Sequence, residues 1–277
     1  MVTPALKFNV FTAPEKPVAG ERPRPFGPPL AWDAITSTLI FGEQDAVLID
    51  ALTTVAEAEA LGSWVALHRR NLTTIYITHG HVDHFAGLGV LLQRFPEARA
   101  IATPQSVELM VRQAPRQQFY RELWPGQLPT TITLPEPYEA EFFSLEGHDL
   151  RIIKQGRTDA VDSTSLHEPS IDLVVGGDVL YNECHMYVGD TTPESRNNWI
   201  AALERLAALQ PKVAVAGHKK TGAPDTPTAI EASKRYLIDF GRLRESTSSD
   251  RELYDAMTEL YPNWASHQAW LMFGLKR

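Results

Sequence analysis

Four residues able to bind a metal ion fall within six positions: His79, His81, Asp83 and His84, in the run Thr78-His79-Gly80-His81-Val82-Asp83-His84. Imidazole and carboxylate are ordinary ligands of zinc, and also of iron and manganese. Residues 74–78 form a β-branched run, so the cluster sits at the end of a predicted strand. Alternate positions of an extended chain face the same way, which lets His79 and His81 converge on one point. Asp83 and His84 follow as the chain turns and serve a neighbouring point. Gly80 gives the backbone room to bend. A lone histidine is most often structural, whereas three histidines and an aspartate at this spacing point to metal binding.

The elements that must position this cluster are readable around it. Residues 36–41 and 46–50 are short β-rich runs separated by a Gly42-Glu43-Gln44-Asp45 turn. Thr54 and Glu57 form a predicted capping box, followed by Val55, Ala58, Leu61 and Val65 at helical spacing as far as about Arg69. A helix is expected over 88–95, stopped by Pro96, and a strand over 99–103. Prolines 115, 125, 129, 135 and 137 break up residues 104–140, where local aromatic packing around Phe119, Tyr120, Trp124 and Tyr138 is favoured over a lid. Strands are expected at 150–154, 171–176 and 213–216, and helices at 194–209, 229–244 and 251–261. Strands alternating with helices in each half suggest two β-rich layers covered by helices. The chain reads as a single domain over 1–277, with a proline-rich strap at 1–30 and a helical C-terminal extension from about 225 to 277. The apolar stretch Trp264, Trp270, Leu271, Met272 and Phe273 is expected to pack into the core, with a homodimer contact as the alternative.

Composition bounds the partners. The net charge of -8 and the lack of a basic stretch argue against nucleic acid, whose phosphates favour basic surfaces. No run approaches the ~18 apolar residues that a membrane helix needs, so no membrane partner is expected. Cys184 is the only cysteine, which rules out an internal disulfide and fits a reducing, cytoplasmic setting. No basic stretch followed by an apolar run opens the sequence, so no signal peptide is expected.

The run His79-Gly80-His81-Val82-Asp83-His84 resembles the signature of the metallo-β-lactamase superfamily. The resemblance extends over about residues 36–220 and implies an αββα sandwich, an α/β fold in four layers, with metals at one edge. It implies roles for three further residues. Asp50, ending Val47-Leu48-Ile49-Asp50, is similar to the aspartate that steadies the metal loop. Asp178, in Gly176-Gly177-Asp178, is similar to the aspartate bridging two metals, and His218, after Gly217, to the last histidine ligand. Zn2+ is the implied cofactor, with Mn2+ or Fe2+ as alternatives. The implied activity is hydrolysis of a small carbonyl substrate (ester, lactone or thioester) by metal-bound hydroxide, with Asp83 as the catalytic residue orienting the nucleophile.

One departure stands out. The family places a further histidine where this sequence reads Gln155-Gly156-Arg157-Thr158-Asp159, and Arg157 stands in its place. Guanidinium has no lone pair to give a metal. The expectation is therefore one tight site built from Asp83, His84, Asp178 and His218, beside a weak or empty one at His79 and His81. His167 and His185 are the candidates to fill the gap. Arg157 is expected either to hold a carboxylate, from substrate, Asp159 or Asp178, or to form a structural ion pair. His185, Tyr187 and Lys220 are further candidates to line the pocket. The rival reading is a non-catalytic or degenerate metal-binding member of the same fold.

Overall fold

The computed structural model describes residues 5–19, 26–27, 31–113, 117–265, 271 and 275. Two sheets form its centre. Among the described residues the first has eight strands. Seven run in the order Tyr181–Asn182, His218–Lys219, Ile35–Phe41, Asp45–Ile49, Asn71–Tyr76, Arg99–Ala102 and Glu136–Pro137, while Lys7–Ala13 pairs antiparallel with Ile35–Phe41. The second sheet has five, ordered Val213–Val215, Leu173–Val175, Ser163–Glu168, His148–Gly156 and Phe142–Leu145.

The layering follows from period-two alternation along the strands. In the first sheet Leu39, Leu48 and Ile75 face outward, onto Leu61 and Val65 of the helix Val55–Leu67 and Leu88 and Leu91 of the helix Leu88–Arg94. Their neighbours Ile40, Val47, Ile49 and Tyr76 face inward, onto Leu145, Leu150, Ile152, Leu166 and Val175 of the second sheet. On the far side Val174 and Ala214 meet Trp199, Leu203 and Leu206 of the helix Pro193–Ala208, with Tyr236 and Leu237 of the helix Thr228–Ser246. The order helix, sheet, sheet, helix is the expected αββα sandwich.

Local chemistry sets the ends of the elements. Thr54 accepts from the Glu57 amide, and the Glu57 carboxylate accepts from the Thr54 amide at 2.9 Å, so the predicted capping box closes. Part of the N-terminal strap is a regular strand. Its proline-free stretch, residues 5–13, keeps its amides available and adds Lys7–Ala13 to the first sheet. The strand Ser163–Glu168 was not expected, because its Ser-Thr-Ser-Leu-His-Glu sequence has little apolar content. Its hydroxyls bond inward instead: Thr164 Oγ1 donates to the Thr78 carbonyl and Ser165 Oγ to that of Gly176. Of the C-terminal apolar stretch, Trp264 stacks on Tyr236 and Leu271 is fully buried, while Trp270, Met272 and Phe273 lie outside the described residues.

Trp199 is fully buried and its Nε1 donates to the Val179 carbonyl at 2.8 Å. Trp199→Ala should lower unfolding free energy by about 3–5 kcal/mol, as for other large aromatic truncations. Urea denaturation followed by circular dichroism measures this; a loss under about 1 kcal/mol would show that the second helical layer contributes little.

Candidate metal centre

The loop carrying the histidines is clamped from both sheets. From the first, the Asp50 carboxylate accepts from the Thr78 amide at 2.8 Å, from Thr78 Oγ1 and from His84 Nδ1 at 2.9 Å. From the second, the Thr164 amide and hydroxyl both donate to the Thr78 carbonyl. Asp50 reaches the loop from a left-handed backbone conformation, φ 65°, which aspartate tolerates better than most side chains. His81 then caps the short helix Val82–Phe85, which carries Asp83 and His84.

The same contacts fix which ring nitrogen each histidine presents. His84 Nδ1 faces a carboxylate and must donate, leaving Nε2 with its lone pair. His218 Nδ1 donates to the Ala34 carbonyl, 3.2 Å away, with the same result. The Thr78 hydroxyl gives its proton to Asp50, so His79 Nδ1, 3.0 Å distant, donates to that oxygen. All three Nε2 atoms are therefore directed toward Asp178. Its Oδ1 is 3.1 Å from His84 Nε2, and its Oδ2 is 3.6 Å from His79 Nε2 and 3.3 Å from His218 Nε2.

Two ligand groups result, each with donor atoms within 4.8 Å of one another: His79, His81, Asp159 and Asp178, and Asp83, His84 and His218. Asp178 lies between them. Asp159 bears on the expectation attached to Arg157. The strand His148–Gly156 shifts register between Lys154 and Gly156, and Gly156 has φ 71°. This bulge re-aims the following residues. Arg157 swings to the rim, where its guanidinium donates to the Asp190 carbonyl at 3.4 Å. Asp159 turns inward and places Oδ2 3.0 Å from His81 Nδ1. Its Oδ1 accepts from the hydroxyls of Thr158 and Ser163, which holds the carboxylate in place. The first group thus has a fourth donor, and carboxylate is as normal a zinc ligand as imidazole.

Other candidates lie elsewhere. His185 is buried against Tyr236, Tyr261 and Trp264, and its Nδ1 meets the Tyr236 hydroxyl. His167 pairs with Arg151 and Val174 in the second sheet. Lys220 is drawn toward the C-terminal segment, its Nζ donating to the Asn263 carbonyl. Tyr187 does stand beside the centre, with its ring 6.3 Å from that of His81 and its hydroxyl donating to Asp190. Two residues that sequence reasoning missed also belong here. Trp32 Nε1 donates to Asp83 Oδ2 at 2.9 Å, and Trp32 is itself packed edge-on against Tyr120 and Trp124. Asp33 is fully buried with both carboxylate oxygens outside any hydrogen bond, and burial pushes its pKa well up against the pull of His218.

The electrostatics fit a cation. Burial opposes ionisation of Asp83, Asp159 and Asp178, yet the surrounding imidazoles hold all three below the usual carboxylate range. Burial and the nearby His84 push His79 down to about 4, so its lone pair is available at neutral pH. His84 and His218 are pushed up despite burial, His218 to about 10, chiefly by Asp178. Three buried carboxylates demand compensating positive charge, and without a cation only imidazole protons can supply it. Nε2 of His79 and His84, Oδ2 of Asp159 and Oδ1 of Asp178 are buried and make no well-directed hydrogen bond, as ligand atoms awaiting a cation would.

A family model for the metallo-beta-lactamase superfamily matches residues 30–218. The chain belongs to the metallo-β-lactamase superfamily. Solved structures agree on the fold. A metallo-beta-lactamase family protein from Thermus thermophilus is 19% identical with a TM-score of 0.61, covering 95% of this chain and 91% of that one. A metallo-beta-lactamase from Pontibacter korlensis is 18% identical, TM-score 0.56, over 74% and 89%. The FIM-1 metallo-beta-lactamase from Pseudomonas aeruginosa, in a mono-zinc form, is 16% identical, TM-score 0.55, over 75% and 84%. Comparison with curated protein sequences returned no match. No helix among the described residues is long and apolar enough to cross a membrane.

Gly217 tests how tightly this superfamily member holds Asp178. A Cβ there would collide with Asp178 Oδ1 and lie 2.7 Å from the Gly177 carbonyl carbon. Gly217→Ala should keep the far-ultraviolet spectrum while weakening zinc retention about 10–100-fold, the usual cost of disturbing ligand orientation. Competition with a chromophoric chelator measures it, and native-like retention would show that Asp178 has room to move.

Proposed function

We propose that the chain is a metal-dependent hydrolase of small carbonyl compounds: esters, lactones or thioesters. The observation that carries this reading is a pair of adjoining ligand groups, with Asp178 of the first within 3.3 Å of the His84 and His218 rings of the second, opening to solvent on one side. His81 provides the opening, with 17% of its side chain exposed where the other ligands are almost fully covered. A cation bound there would lower the pKa of water from 15.7 to about 7 and stabilise charge developing on the attacked oxygen.

The chain's own residues would do the rest. Asp83, fixed through Oδ2 by Trp32, orients the attacking water and holds its proton. Asp50 and the Ala34 carbonyl keep His84 and His218 in the ligating tautomer. Leu109, Ala160 and Val161 contribute apolar surface to the adjoining cavity of about 390 Å³, which is otherwise lined by polar residues and is large enough for a small substrate.

Zinc is the proposed metal, from the mixture of imidazole and carboxylate donors and from the zinc in the FIM-1 neighbour's description. We infer two cations rather than the single tight one that Arg157 suggested, because Asp159 makes good the missing donor. Metal analysis after exhaustive dialysis should find two equivalents in the native protein, about one in Asp159→Ala and two in Arg157→Ala. One equivalent in the native protein would restore the single-site expectation. The non-catalytic reading rested on Arg157 as a lost ligand and weakens for the same reason.

Turnover is tested on a panel of aryl esters, lactones and thioesters with zinc, manganese and iron. Chelation should abolish hydrolysis and zinc should restore it. Asp83→Ala should lower kcat by about 10²–10⁴-fold, the usual range for lost acid–base assistance. Flat results across the panel with every metal would overturn the hydrolase reading.

A further inference from the structure

The cavity beside His81 and Asp159 carries two guanidinium groups on its walls. Arg112 comes from the helix Pro104–Gln113 and Arg157 from the turn after the strand His148–Gly156. Their pairing is weak. Arg112 meets Glu108 one helical turn away, with both side chains more than half exposed, a kind of contact that contributes little stability and can be exchanged for another partner. Among the described residues Arg157 donates only to a neutral group, the Asp190 carbonyl, and at 3.4 Å. The carboxylate of Asp190 also lines the cavity, but it accepts from the Tyr187 hydroxyl at 3.0 Å.

Charge counting sharpens the point. Two divalent cations against the ligand carboxylates Asp83, Asp159 and Asp178 leave one net positive charge. Arg157 stands two residues from Asp159, so it adds a further positive charge to the same cavity, and Arg112 adds another, with Glu108 and the Asp190 carboxylate offsetting part of the total. Like charges held at one mouth are unfavourable unless an anion comes between them. Guanidinium presents its donors in a planar fork that matches a carboxylate.

We propose that the substrate of this site carries a carboxylate, bound by Arg157 with Arg112 in support, while its reacting carbonyl faces the metal ligands. This rests on the hydrolase reading above and narrows its substrate class. Arg157 then sets specificity: the bulge that removes it from the ligand set delivers it to the substrate. The apolar residues Leu109 and Val161 line the same cavity and would pack against the chain between the two ends of the substrate.

The test uses two esters of the same chain length, 4-nitrophenyl pentanoate and mono-4-nitrophenyl glutarate, differing only in a terminal methyl or carboxylate. Zinc-loaded native protein should favour the glutarate ester in kcat/KM by about tenfold or more, as a charge-assisted hydrogen bond provides. Arg157→Ala should collapse that ratio through KM for the glutarate ester, Arg157→Lys should restore part of it, and Arg112→Ala should reduce it less. Half-molar salt should shrink the ratio in the native protein. Preference for the pentanoate ester, or a ratio unchanged by Arg157→Ala, overturns the proposal. A second readout is independent of turnover: glutarate itself is titrated into zinc-loaded protein by calorimetry. If neither ester is hydrolysed, ester hydrolysis fails as a reading, yet glutarate binding weakened about tenfold by Arg157→Ala still supports the subsite. Glutarate binding insensitive to that change, or absent, overturns it.

Discussion

The centre depends on a single carboxylate that binds no metal. Asp50 ends a strand of the first sheet and takes hydrogen bonds from the Thr78 amide, the Thr78 hydroxyl and the His84 ring. Through Thr78 it also reaches the ring of His79. Two of the candidate ligand imidazoles therefore owe their tautomer and orientation to one side chain. The cost is backbone conformation, since Asp50 and Leu52 both sit at positive φ. Left-handed backbone at a leucine is uncommon and is sustained only where the surroundings enforce it. Here they do: the Ala51 amide donates to the His84 carbonyl, and the Gly87 amide to that of Leu52.

Around that anchor the ligands are gathered from both sheets. The histidine loop follows Asn71–Tyr76 in the first sheet, and His218 begins another strand of the same sheet. Asp159 lies between two strands of the second sheet, and Asp178 follows a third. The aromatic stretch at 104–140 joins in indirectly. Tyr120 and Trp124 support Trp32, and Trp32 holds Asp83. The packing role expected for these aromatics is present, and it bears on the chemistry of the centre.

Legibility in the sequence followed the range of the interactions involved. The histidine cluster, the capping box at Thr54 and the amphipathic helices are set by residues a few positions apart, and their patterns survive in one dimension. Asp159 was hidden because its direction depends on a bulge at Gly156, which shifts the register by one and exchanges inside for outside. Looking only for histidine at that place also obscured a carboxylate two residues on. The strand Ser163–Glu168 escaped because its burial is hydroxyl-rich and satisfied by carbonyls of distant segments. His185 and Lys220 were misplaced for a related reason. Their directions are set by the helices Thr228–Ser246 and Asp250–Leu260 and the residues after them, which no local pattern near 185 or 220 reveals.

The spread of the ligands along the chain has a mechanical meaning. Residues 79 and 218 are brought to a common point shared with Asp178. Cations held by the two groups, with Asp178 between them, would tie together loops spanning half the polypeptide, as a covalent cross-link does. No internal disulfide can take that part, since the single cysteine, Cys184, is buried and unpaired. Binding of such an ion is coupled to folding, because only the folded chain assembles the ligands. A filled centre would thus also be the clasp of the sandwich, and the conditions that empty it would loosen one sheet from the other.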